Sequence, residues 1–277
     1  MARQPPRRRP QYHKHVPTIA CFNRATVDLG VDFDALIATL QRFVDEHVAP
    51  VWGTPAKLKK SRGFIQGAWA LTFLDDADKS GALGYHDLTP DGYPQSRVFV
   101  RTTLANKELV SMAASHELVE MLVDPAINLM TIASDTKKVY GYEAADPVEE
   151  VSFRIDGIEV TDFVYPAYFE AFHRPGSVRF DHLGVIRKPF EIHGGGYLSL
   201  FEDGKWMQIH GSKAKRRRFA REDRRGHRSE QRGQHVLKRS ISLFMSASPR
   251  STISSRVSSL AMMCSAPYAE APRTRTA

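Results

Sequence analysis

The sequence predicts an α+β fold, a mixed or antiparallel sheet packed on two helices, one of which carries a cluster of ionisable residues. Three observations lead there. Residues 33–52 and 106–124 place their apolar side chains at helical spacing. Past Pro125 the chain turns to short β-branched or alternating stretches separated by Gly, Pro and Asp. Charge then marks out one domain. Residues 1–15 carry five Lys/Arg and no acid, and residues 211–277 carry 16 Lys/Arg and four acids. The body, 16–210, keeps 18 of the 39 bases and 27 of the 31 acids, a net charge of −9 within a chain of net charge +8.

The elements follow in order. Residues 18–22 suit a short strand. In 33–52, Phe33, Leu36, Ile37, Leu40, Phe43, Val44 and Val48 form the core-facing stripe of a helix that Pro50 helps to end. Residues 63–74 suit a buried strand, and 75–81 (DDADKSG) a polar turn. That turn lacks the ligand pattern and the distal Glu of a calcium loop. Residues 84–88 and 97–102 suit strands on either side of the turn at 90–94. Asn106 suits the cap of the second helix, with Glu108 in its first turn, and Asp124-Pro125 stops it. Strands are expected at 127–133, 139–143, 151–155 and 158–164, the last two joined as a hairpin by Asp156-Gly157. A short helix is expected at 166–172, and a closing hairpin at 197–201 and 205–209 around Glu202-Asp203-Gly204.

The basic ends are polar and lack a packing pattern. They read as a disordered arm over 1–15 and a disordered tail over 211–277. Such ends could hold nucleic acid nonspecifically through phosphates, although the tail lacks the interleaved aromatics of a base-stacking surface. Two cysteines, Cys21 and Cys264, cannot build a disulfide framework or a Cys-based zinc site. With no apolar leader and no run of about 18 apolar residues, the expected location is the cytoplasm, with no membrane partner.

The chemistry concentrates in the second helix. His116 and Glu120 stand at i and i+4, on one face and one turn apart. Glu117 projects about 100° away and can reach the same ion from the side. Glu143 follows 23 residues after Glu120, and Asp146 comes three residues later. A hydrolytic metal ion needs about three protein ligands and an open position for water. His116, Glu120 and Glu143 are the expected ligands, with Glu117 the general base. Asp146 is expected to accept the free ring N–H of His116, which fixes the tautomer.

His116-Glu117-x-x-Glu120 followed by Glu143-x-x-Asp146 resembles the zincin metallopeptidases, in particular the branch whose third ligand is a downstream Glu. It is also similar to bacterial and phage proteins of no assigned activity. The resemblance covers roughly residues 95–165. It implies a strand-edged sheet, an active-site helix and zinc bound by two His and a Glu. The first motif His falls on His116, the catalytic Glu on Glu117 and the third ligand on Glu143. Residues 97–102 take the place of the substrate-binding edge strand. The second motif His falls on Glu120, which is a departure. One imidazole and two carboxylates make a harder site, so manganese, iron or calcium join zinc as candidate ions.

His193-Gly194-Gly195-Gly196-Tyr197 has the form of a lipase oxyanion loop, but no G-x-S-x-G elbow accompanies it. His193 or Tyr197 could instead serve an oxyanion at the metal site. The expected function is a metal-dependent hydrolase acting on a peptide or protein. The alternatives are a non-catalytic, metal-stabilised binding module and a nucleic-acid-associated protein acting through its basic ends.

Overall fold

Strand β1 (Thr18–Asn23) is an inner strand of the molecule's main sheet, with both of its pairings parallel. The computed structural model describes residues 16–213 apart from 64, 79–81, 134–137 and 203–204. All of them belong to one compact unit, Met1–Gln234. The arm at 1–15, the tail from 214 onward, and the tips of the turns at 79–81 and 203–204 lie outside the described residues.

The α+β class holds. A five-stranded sheet runs in the order β2-β1-β3-β5-β4. It comprises β1, β2 (Lys57–Lys60), β3 (Trp69–Leu74), β4 (Gly84–Leu88) and β5 (Pro94–Phe99). Every pairing is parallel except the last, where β4 runs antiparallel to β5 along the sheet edge. The edge strand beside the motif helix is therefore β4. Residues 97–102 are not an edge strand: Arg97 and Val98 are paired on both sides, and the chain turns helical at Val100. Strand β2 is absent from the sequence reading because its KLKK composition is mostly charged, and only Leu58 is half-buried. Lysines suit an edge strand, where they deter pairing with a further chain.

The first helix spans the expected residues but in three pieces. These are α1 (Phe33–Arg42), a π-helical stretch (Phe43–Val48) and α2 (Ala49–Trp52). Asp32 caps its start by accepting from the Ala35 N–H. Pro50 does not end it. The widened turn relieves the clash of the Pro ring with the carbonyl of the preceding turn, and the chain stays helical to Gly53, which closes it at φ 67°.

A short helix, α3 (Val100–Ala105), precedes the motif helix α4 (Val110–Val123). Asn106 ends α3 and does not cap α4, which starts at Leu109 without a side-chain cap. Eleven of the 14 residues of α4 are buried, so it has no polar outer face. It lies between the five-stranded sheet and the hairpin formed by β8 (Ser152–Ile155) and β9 (Ile158–Thr161). Polar contacts fix it on both sides. Ser96 Oγ of β5 lies 3.0 Å from the Glu117 carbonyl, and Ser115 Oγ accepts the Thr161 N–H of β9 at 2.8 Å. The buried Asp124 carboxylate accepts from the backbone N–H groups of Asn128 and Leu129 and so turns the chain out of the helix.

A second, antiparallel sheet has the order β11-β10-β7-β6. Its strands are β6 (Met130–Ala133), β7 (Lys138–Gly141), β10 (Tyr197–Glu202) and β11 (Lys205–His210). Strand β7 ends at Gly141, so Glu143 sits in the segment after it. The β8–β9 turn at Asp156 (φ 51°) and Gly157 (φ 82°) has the two positive φ angles of a type I′ hairpin. The short helix after it is a single 3₁₀ turn, Pro166–Phe169.

The main core joins α1, α4, the five-stranded sheet and the β8–β9 hairpin through Leu36, Leu40, Phe43, Leu71, Phe73, Leu118 and Phe163. A second core lies under the antiparallel sheet around Tyr168, Phe169, Phe180 and Leu200. Cys21 is buried in the first, and burial pushes its thiol pKa up to about 12, which leaves it unreactive. No helix among the described residues is long and apolar enough to cross a membrane.

Candidate metal centre

Four segments meet beside α4. Helix α4 contributes His116, Glu117 and Glu120. Strand β4 contributes His86, the segment after β7 contributes Glu143 and Asp146, and β10 contributes Tyr197. With Tyr85 they line one cavity whose free volume, about 10 Å³, is that of about one water molecule. All five site residues expected from the sequence line it, and His86 is the one that sequence reasoning missed.

Local structure explains how each arrives. The i, i+4 spacing brings His116 Nε2 to 3.3 Å from Glu120 Oε1. Asp146 opens a 3₁₀ turn, Asp146–Val148, and its Oδ1 lies 3.2 Å from the same His116 Nε2. Asp146 thus contacts His116 as expected, but at the nitrogen that also faces Glu120. The Ala145 N–H donates to Glu120 Oε1, tying the Glu143–Asp146 segment to α4.

His86 sits one strand alternation from Gly84. Its Nδ1 lies 3.5 Å from Glu120 Oε2 and 3.7 Å from Glu117 Oε2, and its Nε2 lies 3.6 Å from Glu143 Oε2. Glu143 is therefore grouped with His86, while His116 is grouped with Asp146, and Glu120 belongs to both groups.

Two glycine positions make the assembly possible. A Cβ on Gly84 would lie 2.7 Å from Glu117 Cγ and 2.8 Å from the Arg97 carbonyl, so only glycine lets Glu117 rest against β4. A Cβ on Gly196 would overlap the Pro147 carbonyl. The glycine run before Tyr197 thus lets β10 press on the backbone that carries Asp146, which gives it a packing role in place of an oxyanion loop. Tyr197 lines the cavity, and His193 does not.

The electrostatics are those of a cation site lacking any basic side chain from Lys or Arg. Four carboxylates and two imidazoles line the cavity, with no Lys or Arg among the lining residues. Glu120, Glu143, Asp146 and His86 are each at most 4% exposed. Burial disfavours charge on His86, but the carboxylates of Glu117, Glu120 and Glu143 outweigh it and hold its pKa well above the ordinary histidine value. The same balance, with Glu120 and Asp146 as partners, raises His116. Burial would raise Glu120, yet His116 and His86 pull it well below the usual carboxylate range. Burial raises Glu117, and burial with the charge of Glu120 raises Asp146 well above that range. Protons therefore offset the negative charge wherever no cation does, and ion binding would release them.

The donor set fits a metal ion. Bonds of about 2.1 Å in tetrahedral array place neighbouring ligand atoms about 3.4 Å apart, and the separations here run from 3.2 to 3.7 Å. His86 Nε2 is buried without a hydrogen-bond partner, as a ligand atom awaiting an ion would be. Mixed imidazole and carboxylate donors suit zinc, manganese or ferrous iron. No protein-family model, curated protein or solved structure matches the chain.

Proposed function

We propose that the protein is a zincin-like, metal-dependent hydrolase acting on peptide substrates. The observation that carries this reading is the convergence of four buried carboxylates and two imidazoles, with no Lys or Arg, on one small cavity. Glu120 with His86 and Glu143, or with His116 and Asp146, would hold the ion. A bound divalent cation lowers the pKa of water and polarises a carbonyl oxygen.

The chain's own residues do the rest. Glu117, beside these groups on α4 but outside both ligand sets, takes the proton from the attacking water and returns it to the leaving amine. Tyr197 has a phenol that burial and the neighbouring carboxylates keep protonated, so it can donate a hydrogen bond to a developing oxyanion. Substrate approaches beside His116, whose side chain is 13% exposed and the most open of the ionisable groups. The peptide preference rests on β4. Among the described strands it pairs with β5 alone, and an extended chain adds to such an edge through backbone hydrogen bonds.

One observation favours a second reading, a metal-stabilised binding module. A cavity of about 10 Å³ has no room for a substrate group unless the mouth opens. The nucleic-acid reading rests on residues outside those described.

The test uses the full chain loaded with zinc or manganese and assayed on a quenched-fluorescence peptide library, wild type beside Glu117→Gln. Hydrolysis that is lost in the variant while metal content persists is the expected result. A metal-loaded wild type without turnover, whose melting temperature drops with chelator, replaces the hydrolase with the binding module. Absence of metal from both proteins after reconstitution overturns the two readings together.

A further inference from the structure

We propose that the residues around the cavity bind two divalent cations, one within each of two triads, bridged by Glu120. This rests on the reading of the cavity as a metal centre and goes beyond it in number and arrangement. The geometry separates into two triads that share one residue. One is His86, Glu120 and Glu143, and the other is His116, Glu120 and Asp146. Within each, one ligand atom per residue lies within 4.8 Å of the others. Glu120 directs a different oxygen to each triad: Oε2 lies 3.5 Å from His86 Nδ1, and Oε1 lies 3.3 Å from His116 Nε2. A carboxylate so placed is a 1,3-bridge. Bridged pairs of ions lie about 3.5–4 Å apart, a spacing suited to clamping the attacking and leaving atoms of one displacement.

The lining accommodates the charge of two cations, because four carboxylates face the cavity and no Lys or Arg lines it. Buried His86 Nε2 makes no hydrogen bond but lies 3.6 Å from Glu143 Oε2, the separation of two ligand atoms on one ion. The second His of the site thus comes from β4, and the Glu at the helix position 120 serves as the bridge.

The experiment is metal stoichiometry and electron paramagnetic resonance on the full chain, stripped with chelator and reconstituted with Mn²⁺, then desalted. Two equivalents per chain with an exchange-coupled manganese spectrum are expected in the wild type. His86→Ala and His116→Ala should each fall to one equivalent with an isolated-ion spectrum. One equivalent in the wild type, or two that show no coupling, overturns the bridged pair while leaving a metal centre intact. No bound manganese or zinc overturns the metal centre itself. The wild-type measurement decides the matter even if a variant does not fold.

Discussion

Replacing Gly84 by alanine tests whether β4 and α4 meet as closely as described. The added Cβ would lie 2.7 Å from Glu117 Cγ, 2.8 Å from the Arg97 carbonyl oxygen and 2.9 Å from Glu117 Oε1. All three are shorter than a carbon contact tolerates, and they differ in how they can yield. The Arg97 carbonyl belongs to the paired β5 backbone, where Gly84 is in register with Val98. Glu117 is a side chain, but it is 7% exposed and confined by His86 and Glu120. Overpacking of this kind costs about 1–3 kcal/mol. For a domain of this size that corresponds to a fall in melting temperature of roughly 2–12 °C. Thermal unfolding of wild type, Gly84→Ala, Glu117→Ala and the double variant apportions the cost. Removing Glu117 takes away two of the three contacts, so Gly84→Ala should cost less in the Glu117→Ala background, by about 0.5 kcal/mol or more. An unchanged melting temperature in Gly84→Ala would refute the packing, and an unchanged cost in the double variant would place the whole clash on the β5 backbone.

Two pH dependences follow from groups away from the metal centre. Burial, with the hydrogen bond and charge of Asp181, raises Asp162 to about 8. The folded state then keeps a proton that the unfolded state loses near the ordinary Asp value of about 3.9, so stability falls as pH rises between about 4 and 8. Asp162→Asn should flatten that decline and raise the melting temperature at pH 8 relative to wild type. A lower melting temperature than wild type at pH 8 would count against the proton held there. Burial, followed by the charges of His47 and Arg179, lowers His182 to about 4, while its ring nitrogens lie 3.0 Å from His47 Nδ1 and 3.1 Å from the Tyr165 hydroxyl. Its neutral form is favoured in the fold, so its contribution is present above pH about 6.5 and lost as pH falls towards 4. An NMR titration should place its midpoint near 4, and a midpoint near 6.5 would show the ring to be solvated.

Local spacing made most of the helix chemistry readable. His116, Glu117 and Glu120 are related by helix geometry alone, and the five expected site residues line one cavity because α4 is a helix and the chain returns after β7. Boundaries were less legible where two rules competed. Pro50 reads as a stop, yet a π-helical stretch carries the helix to Gly53. Asn106 reads as a start, yet it ends α3. Residues 97–102 read as one strand because RVFVRT is β-branched and apolar, yet Val100 begins a helix as the chain leaves the sheet.

By itself the sequence determined the α+β class, the acidic body between basic ends, and the placement of His116, Glu117 and Glu120 on one helix, because these depend on composition and on periods of a few residues. Tertiary structure alone decided that His86 joins them. A lone histidine in a five-residue strand carries no local mark of function. Only the sheet order, which places β4 antiparallel at the edge beside β5 and α4, brings its ring between Glu120 and Glu143. The same placement separates the carboxylates into two triads, because each ligand's partner is set by which strand crosses the helix and not by distance along the chain.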